Sequence, residues 1–129
     1  MVEKSDNCEI KRWDVLKRQL QNISPQETLQ AIKGLGQPWV VIDCRRPAEY
    51  AQIRLPGAIN IDYLGYDFWE KITELSTEES YLIYCNSCRR STRVCTLMKN
   101  GGFTQVYNLD GGLNQWLNDL GDEGLERPA

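Results

Sequence analysis

Histidine is absent from all 129 residues. That absence removes Ser-His and Cys-His hydrolase schemes, His-ligated metals and a histidine proton shuttle together. No segment approaches the roughly 18 apolar residues of a membrane span, and the N-terminus has no apolar signal run. The expectation is a soluble protein of a reducing compartment, cytoplasmic in location. An excess of positive charge is also missing: the formal net charge is -3, which argues against nucleic acid or a membrane surface as partner. Five cysteines, an odd number scattered along the chain, do not make a secreted disulfide framework. Internal repeats and low-complexity segments are lacking too. With 41% hydrophobic and 26% charged residues, the chain has the ordinary usage of one globular domain with a real core.

What is present centres on Tyr81-Leu82-Ile83-Tyr84-Cys85-Asn86-Ser87-Cys88-Arg89-Arg90-Ser91-Thr92-Arg93. An apolar, aromatic-rich run, read as a buried strand, ends in a cysteine; a short polar loop with two arginines follows, then helical periodicity. The first N–H groups of a helix have no intrahelical acceptor and lie at the positive end of its dipole, so this junction is an anion cradle with Cys85 in it. A thiol at a helix start beside arginines titrates at about 3.5 to 7.5 rather than about 8.5, so a thiolate nucleophile is expected. An isolated cysteine would instead be taken as a buried structural residue. The arginines and the helix start reverse that preference.

Upstream, Ile10, Trp13, Leu16, Lys17 and Leu20 recur at helical spacing, which predicts an amphipathic extension over residues 1–21. Ser24-Pro25-Gln26-Glu27 is a capping box with proline at the first helical position, opening a helix that stops near Gly34 and Gly36. Trp39 to Asp43 is almost wholly apolar, the pattern of a strand buried on both faces, with Asp43 and Arg45 at its C-terminal edge, where open α/β sheets keep their ligand chemistry. A helical turn with Glu49 and Tyr50 follows Pro47, then a strand over Ala58 to Ile61 and a mostly helical face over 62–75. A helix carries Val94, Cys95, Leu97 and Met98 to Asn100. Phe103 to Leu109 is the last strand, and Gly111 to Leu120 a closing helix with Leu113, Trp116, Leu117 and Leu120 inward. The tail, 121–129, is polar and expected to be flexible. Strands alternating with helices predict an α/β fold with a parallel sheet covered on both faces.

Three stretches together resemble the rhodanese family of sulfurtransferases, over roughly residues 22–120. Cys85 stands at the family's persulfide-forming cysteine; after four residues come Arg90 at its arginine and Ser91 at the residue opening the helix. Asp43, Arg45, Pro47, Glu49 and Tyr50 are on the pattern of its first signature, and Leu109-Asp110-Gly111-Gly112-Leu113-Asn114-Gln115-Trp116 is similar to its last. The resemblance implies a three-layer α/β/α fold around a mostly parallel sheet of about five strands. It also implies a sulfur relay without cofactor or metal. Cys85 takes the outer sulfur of thiosulfate or a similar donor as a persulfide. Asn86, Ser87, Cys88, Arg89, Arg90 and Ser91 bind the substrate, and Asp43 and Arg45 support the loop. Cyanide or a thiol, including that of a sulfur-relay protein, then removes the sulfur. Covalent storage splits one difficult transfer into two.

Two departures from the family pattern stand out. Ile53 and Arg54 occupy the glycine and histidine positions before Leu55-Pro56-Gly57-Ala58, a change expected to alter a turn. Cys88 replaces the loop glycine, a residue type that serves positive φ or close approach. It also creates a Cys-x-x-Cys pair in which Cys88 is a candidate resolving thiol; Cys44, read as ending the neighbouring parallel strand, is a further cysteine that the fold could bring near the loop. The competing classes are a dithiol redox protein using Cys85 and Cys88 and a catalytically idle binding module. A cysteine phosphatase needs five residues between cysteine and arginine, where this loop has four. A zinc site lacks a second ligand pair.

Overall fold

The computed structural model describes residues 15, 16, 18–34 and 38–128. The expected N-terminal helix therefore falls mostly outside the described residues, as does Cys8. Its C-terminal end departs from expectation: Gln21–Ile23 forms β1, an edge strand pairing in parallel with the last strand of the sheet. A three-residue strand gives no readable alternation, and its hydrogen bonds come from a strand about 85 residues away in the chain. This is the fifth strand, which no periodicity marked.

Ser24 then caps α1, Pro25–Lys33, as a full capping box: its hydroxyl accepts from the Glu27 N–H at 3.1 Å and its N–H donates to the Glu27 carboxylate at 3.1 Å. β2 is Val40–Asp43, α2 Pro47–Gln52 and β3 the two residues Ile59–Asn60. Only Phe68–Thr73 of the stretch 62–75 is helical, as α3. β4 Ser80–Tyr84, α4 Arg89–Asn100, β5 Gln105–Leu109 and α5 Gly112–Leu120 complete the order. The sheet runs β1-β5-β4-β2-β3, every pairing parallel, so β4 is central and its C-terminal end is shielded by neighbours on both sides.

Alternation along the strands separates two cores. Val41, Leu82 and Leu109 meet Leu29, Leu113 and Trp116 from α1 and α5. On the opposite face Ile42, Tyr81, Ile83 and Val106 meet Phe68 and Ile72 of α3 and Val94, Cys95 and Met98 of α4. The arrangement is the α/β/α sandwich. Leu117, expected inward, is exposed, as is Leu97 of α4, because each lies one position off the buried stripe of its helix.

The tail is held, contrary to expectation. Arg54 and Glu126 exchange backbone hydrogen bonds at 3.0 and 2.8 Å, Leu125 packs against the Trp116 core, and the Trp116 indole N–H donates to the Glu123 carbonyl at 2.9 Å. A polar composition concealed this because backbone groups supply most of the attachment. Arg54, at the departure from the family pattern, turns toward this tail and stacks on Tyr50, its guanidinium 4.4 Å from the ring centre.

Candidate active site

Cys85 lies where central strand β4 gives way to the loop before α4. The loop is fixed from below by the start of α5: Leu113 N–H donates to the Cys85 carbonyl and Asn114 N–H to the Asn86 carbonyl, each at 2.9 Å. Gly112 permits this approach. Its φ is +66°, and a Cβ there would lie 2.5 Å from the Asn86 carbonyl oxygen and 2.6 Å from that of Cys85.

At the head of α4 the backbone turns left-handed at Cys88, φ 67°, the only non-glycine residue with positive φ among those described. The glycine-type conformation expected at this position is present, carried by a cysteine at a cost of about 1–2 kcal/mol. The turn brings the start of α4 against the thiol. Ser91 N–H donates to Cys85 Sγ at 3.4 Å, and the Cys85 thiol donates to Ser91 Oγ at 3.5 Å.

Beneath the thiol, Ser91 donates to Asn108 Oδ1 at 2.7 Å, and the Asn108 amide donates to Thr92 Oγ1 at 3.1 Å and Asn22 Oδ1 at 3.0 Å. Thr92 in turn donates to the Cys88 carbonyl at 2.6 Å. Asn108 is wholly buried on β5, so its polar ends need partners, and supplying them locks the first turn of α4. Sequence reading passed over this residue, although an asparagine inside the apolar run Val106 to Leu109 is a readable signal of a buried polar contact.

Above the thiol lies an open cavity of about 630 Å³ lined by Arg45, Arg46, Glu49, Leu64, Cys85, Asn86, Ser87, Arg89 and Arg90. Of the site residues expected from sequence, Cys88 and Ser91 do not line it; they are buried beneath the loop and act through backbone shape and an N–H. Arg93 is exposed and outside the lining.

Asp43 is turned into the protein. Its carboxylate accepts from the Arg45 backbone N–H at 2.8 Å, Arg45 Nη2 at 2.8 Å and the Tyr84 hydroxyl at 2.6 Å, so its role is to aim Arg45. Arg45 also donates to the Ile53 carbonyl and, from Nη1, reaches Asn86 Oδ1 at 3.5 Å. Asn86 is clamped from its other end by a 2.7 Å hydrogen bond to the Glu49 carboxylate. That bond, followed by the Arg46 N–H and the charges of Arg45 and Arg90, holds Glu49 below the usual carboxylate range despite partial burial.

Arg46 is paired with Asp62 at 3.2 Å, but among the described residues neither Arg89 nor Arg90 sits in an ion pair. Two cations in the first turn of a helix oppose its dipole. Such a violation of the local rule is expected where function requires it, and an anion in front of Cys85 would relieve it.

Comparison with known proteins agrees with this architecture. A sulfurtransferase of Allochromatium vinosum is 31% identical over 77 residues, covering 60% of this chain and 70% of its own. The thiosulfate:glutathione sulfurtransferase of Saccharomyces cerevisiae is 24% identical over 128 residues, covering 86% of this chain and 92% of its own. Across four of the relatives the matched share of their own length runs from 70% down to 40%. The crystal structure of a rhodanese-like domain protein from Staphylococcus aureus superimposes with a TM-score of 0.70 at 26% identity, over 85% of this chain and all of that one. The rhodanese-like domain model matches residues 24–119, from the capping serine of α1 to the last turn of α5, and the chain belongs to that family.

Proposed function

We propose that this protein is a sulfurtransferase that carries a sulfane sulfur on Cys85. The observation that supports it most is the placement of Cys85 Sγ between the Ser91 N–H at the head of α4 and a cavity bearing two arginines that form no ion pair among the described residues. The sulfurtransferase activity of the relatives points the same way.

In the first half-reaction the Cys85 sulfur attacks the outer sulfur of a donor such as thiosulfate. The sulfur–sulfur bond of the donor breaks, sulfite leaves with its electron pair, and a persulfide remains. Arg89 and Arg90 attract the anionic donor and stabilise the departing charge, while the helix-start N–H group faces the sulfur without having to reorganise. In the second half-reaction a thiophilic acceptor, cyanide or a thiol of a small molecule or relay protein, attacks the outer sulfur and restores Cys85. The loop of four residues between Cys85 and Arg90 is suited to a single sulfur atom rather than a tetrahedral phosphate.

The test is intact-protein mass spectrometry of reduced protein immediately after thiosulfate treatment and again after cyanide. Gain of one sulfur, mapped to Cys85, absent from Cys85→Ser and removed by cyanide, is the expected result. A wild-type protein that takes up no sulfur from thiosulfate or polysulfide would overturn the reading.

A further inference from the structure

Cys44 follows β2 as Cys85 follows β4, and the sheet register makes the two neighbours. β2 and β4 pair in parallel with Ile42 opposite Ile83 and Asp43 opposite Tyr84. The Cys44 N–H donates to the Tyr84 carbonyl at 2.9 Å, so the ladder runs one step further and sets Cys44 beside Cys85. Neighbouring strands lie about 4.8 Å apart, within the Cα separations of about 4.4–6.8 Å that a disulfide spans.

Side chains alternate along each strand, so Ile42 and Cys44 face the same layer as Ile83 and Cys85; all four belong to one buried cluster. The remaining described thiols are placed differently. Cys95 donates to the Tyr107 carbonyl at 3.7 Å from within α4, and Cys88 heads α4 in left-handed backbone, on the loop rather than on a strand. The sulfur-transfer scheme uses Cys85 alone and leaves Cys44 without a task.

We propose that Cys44 is a resolving thiol: when no acceptor collects the sulfur from Cys85, Cys44 closes a disulfide with it and hydrogen sulfide is released. The inference rests on Cys85 carrying a persulfide. Cys44 Sγ attacks Cys85 Sγ, the inner sulfur, and a new sulfur–sulfur bond forms. The bond from Cys85 Sγ to the outer sulfur breaks, and its electron pair leaves with that sulfur. The Cys44 proton goes with it, so Cys85–S–SH and Cys44–SH become the Cys44–Cys85 disulfide and hydrogen sulfide. The two cysteines are oxidised by two electrons and the sulfane sulfur is reduced by the same two.

Burial, then the neighbouring Cys85 and Cys95 sulfurs, push the Cys44 thiol well up. It therefore retains the proton that the departing sulfide needs, and remains a slow nucleophile that external acceptors outpace. A thiol reductant reopens the disulfide; without one, each chain releases sulfide once.

The experiment loads reduced full-length protein with thiosulfate or polysulfide, removes excess donor, and follows sulfide release without an acceptor while non-reduced peptides are mapped by mass spectrometry. The expected course is one sulfide per loaded chain, with Cys44 and Cys85 linked. In Cys44→Val, which keeps a strand-forming apolar residue in the cluster, sulfide release is lost and the sulfur stays on Cys85. Mapping the wild type decides the pairing even if the Cys44 variant fails to fold. Loading without sulfide release, or a disulfide from Cys85 to Cys88 or Cys95, overturns this inference alone. Failure of Cys85 to take up sulfur from either donor overturns the sulfur-transfer reading and this inference with it.

Discussion

Glu49 shows how a single side chain ties stability to the site. Its carboxylate receives the Asn86 amide, which fixes the loop residue next to Cys85, and its acidity is raised mainly by that bond. A carboxyl whose folded value lies below its ordinary value of 4.5 contributes stability that is complete above that pH and lost as pH falls through the lower, folded value. Glu49→Gln is therefore expected to cost stability at neutral pH, with the difference from wild type shrinking as the solution is acidified below 4.5; denaturant midpoints across that interval check it. Asp43 and Arg45 belong to the same scale. They form a buried ion pair with every strong partner satisfied, the condition under which such a pair is tolerated, and they hold Arg45 at the cavity wall. The first-signature residues were legible in the sequence. The division of labour between them was not, since burial turns Asp43 away from the cavity and leaves Arg45 and Glu49 facing it.

Among elements, the junctions carry the chemistry. The loop after β4 is shaped by the left-handed turn at Cys88 and by α5, whose Gly112 sits against the Cys85 and Asn86 carbonyls. Gly112→Ala is expected to destabilise the protein by about 1–3 kcal/mol through its strained positive φ. The intruding Cβ also displaces those carbonyls. The variant should take up sulfur on Cys85 more slowly even where it remains folded, and thermal unfolding with the rate of sulfur loading separates the two effects. Paired glycines are visible in a sequence, and a glycine position held by Cys88 can be suspected there. That Gly112 is needed for close packing onto a loop 27 residues earlier is a tertiary fact.

For the whole molecule, the parallel order β1-β5-β4-β2-β3 places β4 at the centre and both cores on its faces. The segment after Gly121 closes the Trp116 core. Ending the chain at Gly121 removes the Glu123 carbonyl that accepts the buried indole N–H, Leu125 from the core and the Arg54–Glu126 bridge. The orphaned indole alone is expected to cost about 1–3 kcal/mol, seen as a fall of several degrees in Tm; an unchanged Tm would show that these contacts contribute nothing.

The sequence by itself determined the α/β class, the capped first helix, the buried strands β2 and β4 and the Cys85 loop, because periodicity, capping chemistry and a cysteine among arginines are local signals. Tertiary structure alone decided the edge strand β1, the attached tail, the Asn108 network under the thiol and the register that sets Cys44 beside Cys85. Each of these depends on a partner distant in the chain, and no local pattern specifies the identity of such a partner.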